Sequence, residues 1–247
     1  MPEKKRSINP SAAASTISER PVLELGEVSR NERARAFEAF ERLPPGGSFE
    51  VSAHRQLVPL FSELQARYGL GFHWWPLEPG PFVWRVTLAK PSPDARLTVA
   101  SAMAAYHLHL YELWREFELT VDRCQIDTVH RLVRELSLGL RRYIDLEEFV
   151  LFPLLDAQTE TDGGGSTAAM RSEHREIERV VDRFAIKLNL ARDCATILEE
   201  FDRPVEPMAL FQSHYRQEEA ILYPIMNKVF GHAEQMEILS LMQSFEL

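Results

Sequence analysis

From Val22 to Lys90 the apolar positions fall into short runs of β character, separated by stretches of helical spacing. Residues 22–28 predict a strand. Asn31 then serves as a plausible N-cap for a helix with Ala34, Phe37, Phe40 and Leu43 on one face, stopped by Pro44-Pro45-Gly46-Gly47. A strand is expected over 48–54, followed by a helix over 56–68 that ends at Gly69, a natural C-cap. Two further β-rich runs, 72–77 and 82–88, flank Glu78-Pro79-Gly80-Pro81, a hairpin signal. The order βαβαββ predicts a small α+β two-layer sandwich with both helices on one face of the sheet. Pro91-Ser92-Pro93-Asp94 reads as a stiff linker, because proline favours extended backbone.

Everything beyond it has helical periodicity. Helices are expected near 97–120, 126–157, 166–200 and 205–230, with a short fifth over 232–244. The breaks fall at Asp162-Gly163-Gly164-Gly165, at Asp202-Arg203-Pro204 and at Gly231. The expected organisation is a disordered tail (1–20), an α+β domain (21–91), a linker (92–96) and an all-α, up-down four-helix bundle with a short fifth helix (97–247).

A helical residue advances about 100°, so each polar side chain can be placed against the apolar stripe of its own helix. In the fourth long helix Phe211, Ile221, Leu222, Ile225 and Val229 form the stripe; His214 and Glu218 lie inside it and Glu219 outside. The second helix repeats this, with Tyr143 and Glu147 amid Val129, Leu132, Leu136, Leu140, Val150 and Leu154, while His130 and Glu148 fall on the solvent side. His107 lines up with Met103, Leu110, Trp114 and Val121, and His109 points the other way. His174 sits beside Met170, Ile177, Val181, Phe184 and Leu188, with Glu178 more peripheral. The i,i+4 pairs Tyr143/Glu147 and His214/Glu218 can each reach one centre.

Two carboxylates, three imidazoles and a phenol are thus aimed at an apolar interior. A buried ionised carboxylate without a partner costs several kcal/mol or takes up a proton, and no inward Lys or Arg is on offer. A bound cation supplies the missing charge. Mixed imidazole and carboxylate donors suit iron, manganese or zinc, and two carboxylates able to bridge suggest two ions. A single His-x-x-x-Glu is common on helices. Here two such motifs are each followed by nearly one phrase, "EEFVLFPLL" and "EEAILYPIM", in register.

Charge and composition narrow the alternatives. A formal net charge of −9 argues against a phosphate-binding face, and no nucleic-acid partner is expected. No apolar run reaches the length of a membrane span, and the first twenty residues lack the apolar core of a secretory signal. Cys124 and Cys194, the two cysteines, form no Cys-x-x-Cys pair and are expected as free thiols in a reducing cytoplasm.

The first domain, through "AFERLPPGGSFEV", "PLFSEL" and "FHWWPLEPGPFVWRVTLAK", resembles a bacterial domain of unknown function related to the TusA/SirA sulfur-carrier fold. Sulfur transfer is not carried over, because those carriers work through a cysteine and this segment has none. His54 and His73 read as surface or strand-end residues, and Trp74, Trp75 and Trp84 as sheet packing. Residues 97–247 resemble the hemerythrin-type, cation-binding bundle through His107, Glu147, "SEHREI" with His174, and "HYRQEEAILYP" with His214 and Glu218. The resemblance implies two iron ions, oxo- or hydroxo-bridged when oxidised. Glu147 and Glu218 would bridge them, His174 and His214 would bind one, and His107 the other. Tyr143 departs from the pattern, which has histidine there; a tyrosinate can bind ferric iron and favours that state.

The expected function is a cytoplasmic di-iron protein that binds, senses or scavenges a small oxidant or gas: dioxygen, peroxide or nitric oxide. A peroxidase or nitric-oxide-reducing enzyme ranks lower for want of a separate general acid or base in the core, and iron donation or repair is a further option. A metal-free interaction module is the remaining alternative. The first domain is expected to offer a surface to a protein partner.

Overall fold

The computed structural model describes residues 20–92, 97–159, 167–201 and 207–245. The expected tail up to residue 19, most of the linker, and the breaks at 162–165 and 202–204 lie outside them. The first domain comprises β1 (Val22–Leu25), α1 (Arg30–Arg42), β2 (Ser48–Ala53), α2 (Val58–Tyr68), β3 (His73–Pro79) and β4 (Trp84–Ala89). The sheet order is β1-β2-β4-β3, with β1 parallel to β2 and the other pairs antiparallel. Helix α1 starts earlier than its apolar spacing indicates. Ser29 is the N-cap, and the Glu32 carboxylate accepts from the Ser29 backbone N–H at 3.0 Å in a capping box.

Phe49, Val51, Ala53, Trp74, Val86 and Leu88 share one sheet face and pack beneath Phe37 and Phe40 of α1 and Leu60, Phe61 and Leu64 of α2. The opposite face carries Glu50, Ser52 and Thr87, all buried. Strand alternation would give these polar residues to solvent; here the helical domain covers them. Arg85 bridges the seam, with Nε 2.5 Å from Glu50 and Nη1 2.5 Å from Glu135 of the second domain. Arg20 adds contacts to Thr87 at 3.3 Å and to Glu116 at 3.1 Å.

The second domain has eight α-helices among the described residues: α3 (Val99–Asp122), α4 (Ile126–Leu146), α5 (Phe152–Thr159), α6 (Ala168–Leu190), α7 (Cys194–Phe201), α8 (Pro207–Gln217), α9 (Tyr223–Val229) and α10 (His232–Phe245). Helix α3 packs on α4, α4 on α6, α6 on α8, and α9 returns to α3. The long rods thereby enclose one core. Gly139 lets α3 and α4 approach closely, since a Cβ there would lie 2.7 Å from Leu110 Cδ2. Among the described residues no helix is long and apolar enough to cross a membrane.

Three expectations change in this domain. The single helix expected over 166–200 is two, because Ala191 adopts extended backbone and Asp193 caps the new start by accepting from the Thr196 N–H at 2.9 Å. His130, expected on the solvent side, reaches the Ala191 carbonyl at 3.0 Å and satisfies it. Cys124 and Cys194 are not free thiols but form a disulfide, with Cα atoms 5.5 Å apart. Their 70-residue separation in sequence hides that the α3–α4 corner folds against the start of α7. Disulfides persist in oxidising surroundings, so cysteine usage lends no support to a reducing compartment.

Candidate metal centre

Glu147 and Glu218 each open a five-residue π-helical turn, Glu147–Leu151 and Glu218–Leu222. The Phe152 N–H donates to the Glu147 carbonyl and the Tyr223 N–H to the Glu218 carbonyl, the wider spacing of a π-bulge. Pro153 and Pro224 hold matching places in the two repeats. Proline has no N–H and clashes with the carbonyl behind it, so an α-helical ladder would break there and the wider turn absorbs the defect. Arg171 Nη1 lies 3.4 Å from the Glu148 carbonyl at the bulge.

Each bulge rotates the following helix by one residue. Leu151, Phe152 and Leu155 are buried, and Val150 and Leu154 only partly so. Likewise Leu222, Tyr223, Met226 and Phe230 are buried, Ile225 and Val229 are partly exposed, and Ile221 is in solvent. The expected stripes hold up to each glutamate and slip after it, with Leu222 alone keeping its expected place. Tyr223, absent from the predicted site, enters the core by this slip.

Glu147, His174, His214 and Glu218 converge, with one donor atom from each lying within 4.8 Å of the others. His174 Nε2 is 3.1 Å from Glu147 Oε2 and 2.9 Å from His214 Nε2. His214 Nε2 in turn is 2.6 Å from Glu218 Oε1. His107 and Tyr143 stand outside that group, about the other oxygen of Glu218. His107 Nε2 is 3.3 Å from Glu218 Oε2, and the hydroxyls of Tyr143 and Tyr223 donate to it at 2.6 and 3.1 Å. His109 does not take part and is not solvated; its ring stacks on Trp75 of β3 at 4.4 Å.

Two carboxylates hold the imidazoles from behind. Glu148 Oε1 lies 2.9 Å from His174 Nδ1, and Glu173 Oε2 lies 2.8 Å from His214 Nδ1. An Nδ1–H donated to a carboxylate leaves Nε2 free as an inward ligand and raises its basicity. Glu148 was expected in solvent and Glu173 was quoted without a role. Each neighbours one ligand in the chain yet braces a ligand on another helix, and that adjacency is the signal available in the sequence.

The donor set fits a cation. Among the described residues Glu147 Oε1, Glu218 Oε1 and both ring nitrogens of His107 are buried without a well-formed hydrogen bond, although His214 Nε2 crowds Glu218 Oε1 and His107 Nε2 lies 3.3 Å from Glu218 Oε2. Lone pairs that close and that badly aligned for one another are satisfied by a common positive centre. In the metal-free protein, burial and the charge of Glu218 raise the Glu147 pKa. Burial also opposes charge on Glu218, but the His107 and His214 imidazoles outweigh it and hold this carboxyl well below its usual range. Burial would lower His214, yet Glu147, Glu218 and Glu173 raise it to about 10. His214 thus carries a proton where a metal would sit.

Two consequences are measurable. Since folding raises His214 from 6.5 to about 10, its stabilisation of the metal-free fold is complete below pH 6.5 and is lost as pH rises through about 10. At neutral pH metal binding must expel that proton. Calorimetric titration with a divalent metal in buffers of different ionisation enthalpy should show net proton release, shrinking as pH approaches 10; release independent of pH would contradict a protonated His214.

Residues 98–209 match the family model described as the hemerythrin HHE cation binding domain, and residues 23–90 match that of an uncharacterised conserved protein family, DUF2249. The first match includes His107, Glu147 and His174 and ends before His214 and Glu218, which the geometry adds. No curated protein and no solved structure matches the chain. With its Glu/His group buried among helices, the chain combines a segment matching DUF2249 with a following helical segment matching the hemerythrin HHE cation binding domain.

Proposed function

We propose that the bundle holds two iron ions and uses them to bind, sense or scavenge dioxygen, peroxide or nitric oxide. The observation that carries this reading is the position of Glu218. One oxygen faces His214 at 2.6 Å, and the other gathers His107, Tyr143 and Tyr223. A carboxylate with donor groups on both oxygens suits a bridge between two ions. His174, His214 and Glu147 would hold the first ion, and His107 the second, with Tyr143 as a candidate donor. Bound there, iron supplies an open coordination position for a small ligand.

The chain's own residues provide the rest. A cavity of about 380 Å³ between α3 and α8 is lined by His107, Met208, Phe211 and Tyr215, a mostly apolar approach to the second position. Burial, followed by the charges of Glu147 and Glu218, pushes the Tyr143 phenol well above its usual pKa. Ligation by Tyr143 therefore requires its proton to leave through Glu218, to which it already donates. Under a second reading, favoured by that 2.6 Å hydrogen bond, Tyr143 stays protonated and only orients Glu218.

Metal analysis after expression in iron-rich medium tests the proposal, with two irons per chain expected. Visible spectra under air, peroxide and nitric oxide then identify the ligand class. If Tyr143 ligates, the oxidised protein shows a charge-transfer band that Tyr143→Phe removes; an unchanged band assigns it the orienting role.

A further inference from the structure

The groups that would hold the metal are enclosed, with Glu147, His174 and Glu218 showing no exposed surface. A donor of any bulk must therefore deliver electrons from a distance. Rings lead outward through His107 to Tyr215 on the bundle's own surface, and a second line crosses to the first domain. Tyr143 donates to Glu218 at 2.6 Å, and its ring meets Tyr106 edge-on at a centroid distance of 5.7 Å. Tyr106 meets Trp75 of the first domain at 6.3 Å. Trp75 is partly exposed and lies between His109, stacked at 4.4 Å, and His73, stacked at 5.0 Å. Aromatic burial needs no such order, since apolar side chains would fill the same space. Here oxidisable rings run unbroken from the site, across the seam, to the surface.

We infer that Trp75, Tyr106 and Tyr143 form a path that passes single electrons from the DUF2249 domain to the buried centre. The inference rests on the metal reading for its physiological acceptor, and on the reading in which Tyr143 keeps its proton and orients Glu218, but the path itself is a property of these side chains. Tyr143 gives an electron to the oxidised metal while its O–H proton passes to Glu218 Oε2. Trp75 refills Tyr143 across the Tyr106 ring as that proton returns. An external one-electron donor of the ascorbate class refills Trp75. In net balance the donor loses one electron, the metal gains one, and no proton is consumed. Glu218 fits the proton's role, being within hydrogen-bond reach of the phenol. The first domain, which lacks the cysteine of a sulfur carrier, thereby acquires a task as the electron port.

The test runs first on the metal-free full chain. A ruthenium tris-bipyridine complex, flashed with an oxidative quencher, withdraws an electron from the protein surface, and the frozen sample is read by electron paramagnetic resonance. Exposed tyrosines such as Tyr111 contribute a background, so the expected signature is a neutral tyrosyl component that Tyr143→Phe removes and that Trp75→Phe removes as well. Trp84→Phe should retain it, since Trp84 packs with the opposite sheet face. Phenylalanine preserves an aromatic ring at each position, and circular dichroism verifies the fold. No component that depends on Tyr143, or one of equal size in Trp75→Phe, overturns the path. The second arm uses iron-loaded protein oxidised with hydrogen peroxide, where Trp75→Phe should slow re-reduction by ascorbate. A chain that binds no iron but gives the Trp75-dependent signal sinks the metal reading and leaves the path standing. Iron binding with Trp75-independent re-reduction does the reverse.

Discussion

Glu218→Gln should abolish the rise in melting temperature that metal gives the unmodified protein, while leaving the metal-free protein close to its original stability. A metal present at a hundred times its dissociation constant stabilises the fold by about 2.7 kcal/mol, and a chain that cannot bind it gains nothing. Glutamine keeps the shape of the side chain and an oxygen to accept from Tyr143 and Tyr223. It removes the charge that both halves of the site share. Without metal the exchange trades the loss of a His214 partner against relief of repulsion with Glu147. Glu148→Gln touches the rear of His174 and a 3.8 Å ion pair with Arg171 but no inward oxygen, and loss of such a support typically costs about 10–100-fold in affinity. Scanning calorimetry with and without metal reads both variants. A metal-induced shift that survives Glu218→Gln contradicts the bridging role.

Arg85→Ala should be the most destabilising single change at the domain seam. Its guanidinium lies between Glu50 and Glu135, whose side chains retain 9% and 3% of their exposure. Deleting it strands two buried carboxylates, and breaking a buried pair from one side costs about 3–5 kcal/mol. Some of that is relieved through Arg131, which also reaches Glu135 at 2.8 Å. Replacing Arg85, Glu50 and Glu135 together with apolar residues of similar size should recover most of the loss, because no charge is then left behind. Urea unfolding of the two variants provides the comparison. Equal stability of the Arg85→Ala and parent proteins would show that the seam is held by other means.

The way the predicted stripes failed is instructive. Helical periodicity placed Glu147 and Glu218 inward without error, because residues before each glutamate follow a regular α-helix. Beyond them Leu222 alone keeps its expected inward place, while Ile221, Val150 and Ile225 give up to Leu151 and Tyr223 the core positions expected of them. The repeated phrase that exposed the two motifs also contained the cause, since Pro153 and Pro224 forbid the regular ladder. A proline after a buried acid in an otherwise helical run is thus a sign of a register slip, and with it of Tyr223.

The seam between the domains was not legible at all. His109, Trp75, Glu50 and Glu135 each looked ordinary on their own element, and only docking of the sheet on the bundle gives them partners. The disulfide belongs to the same class, joining cysteines 70 positions apart.

Sequence alone determined the two domains, the βαβαββ order, the helical rods and the acids and imidazoles that turn inward, because local periodicity and turn chemistry act over one or two turns of chain. Tertiary structure decided which oxygen of Glu218 meets which ligand, which carboxylates brace the histidines, and how Trp75 reaches the bundle. Those are distances between elements remote in sequence, and they are set by the packing of whole surfaces.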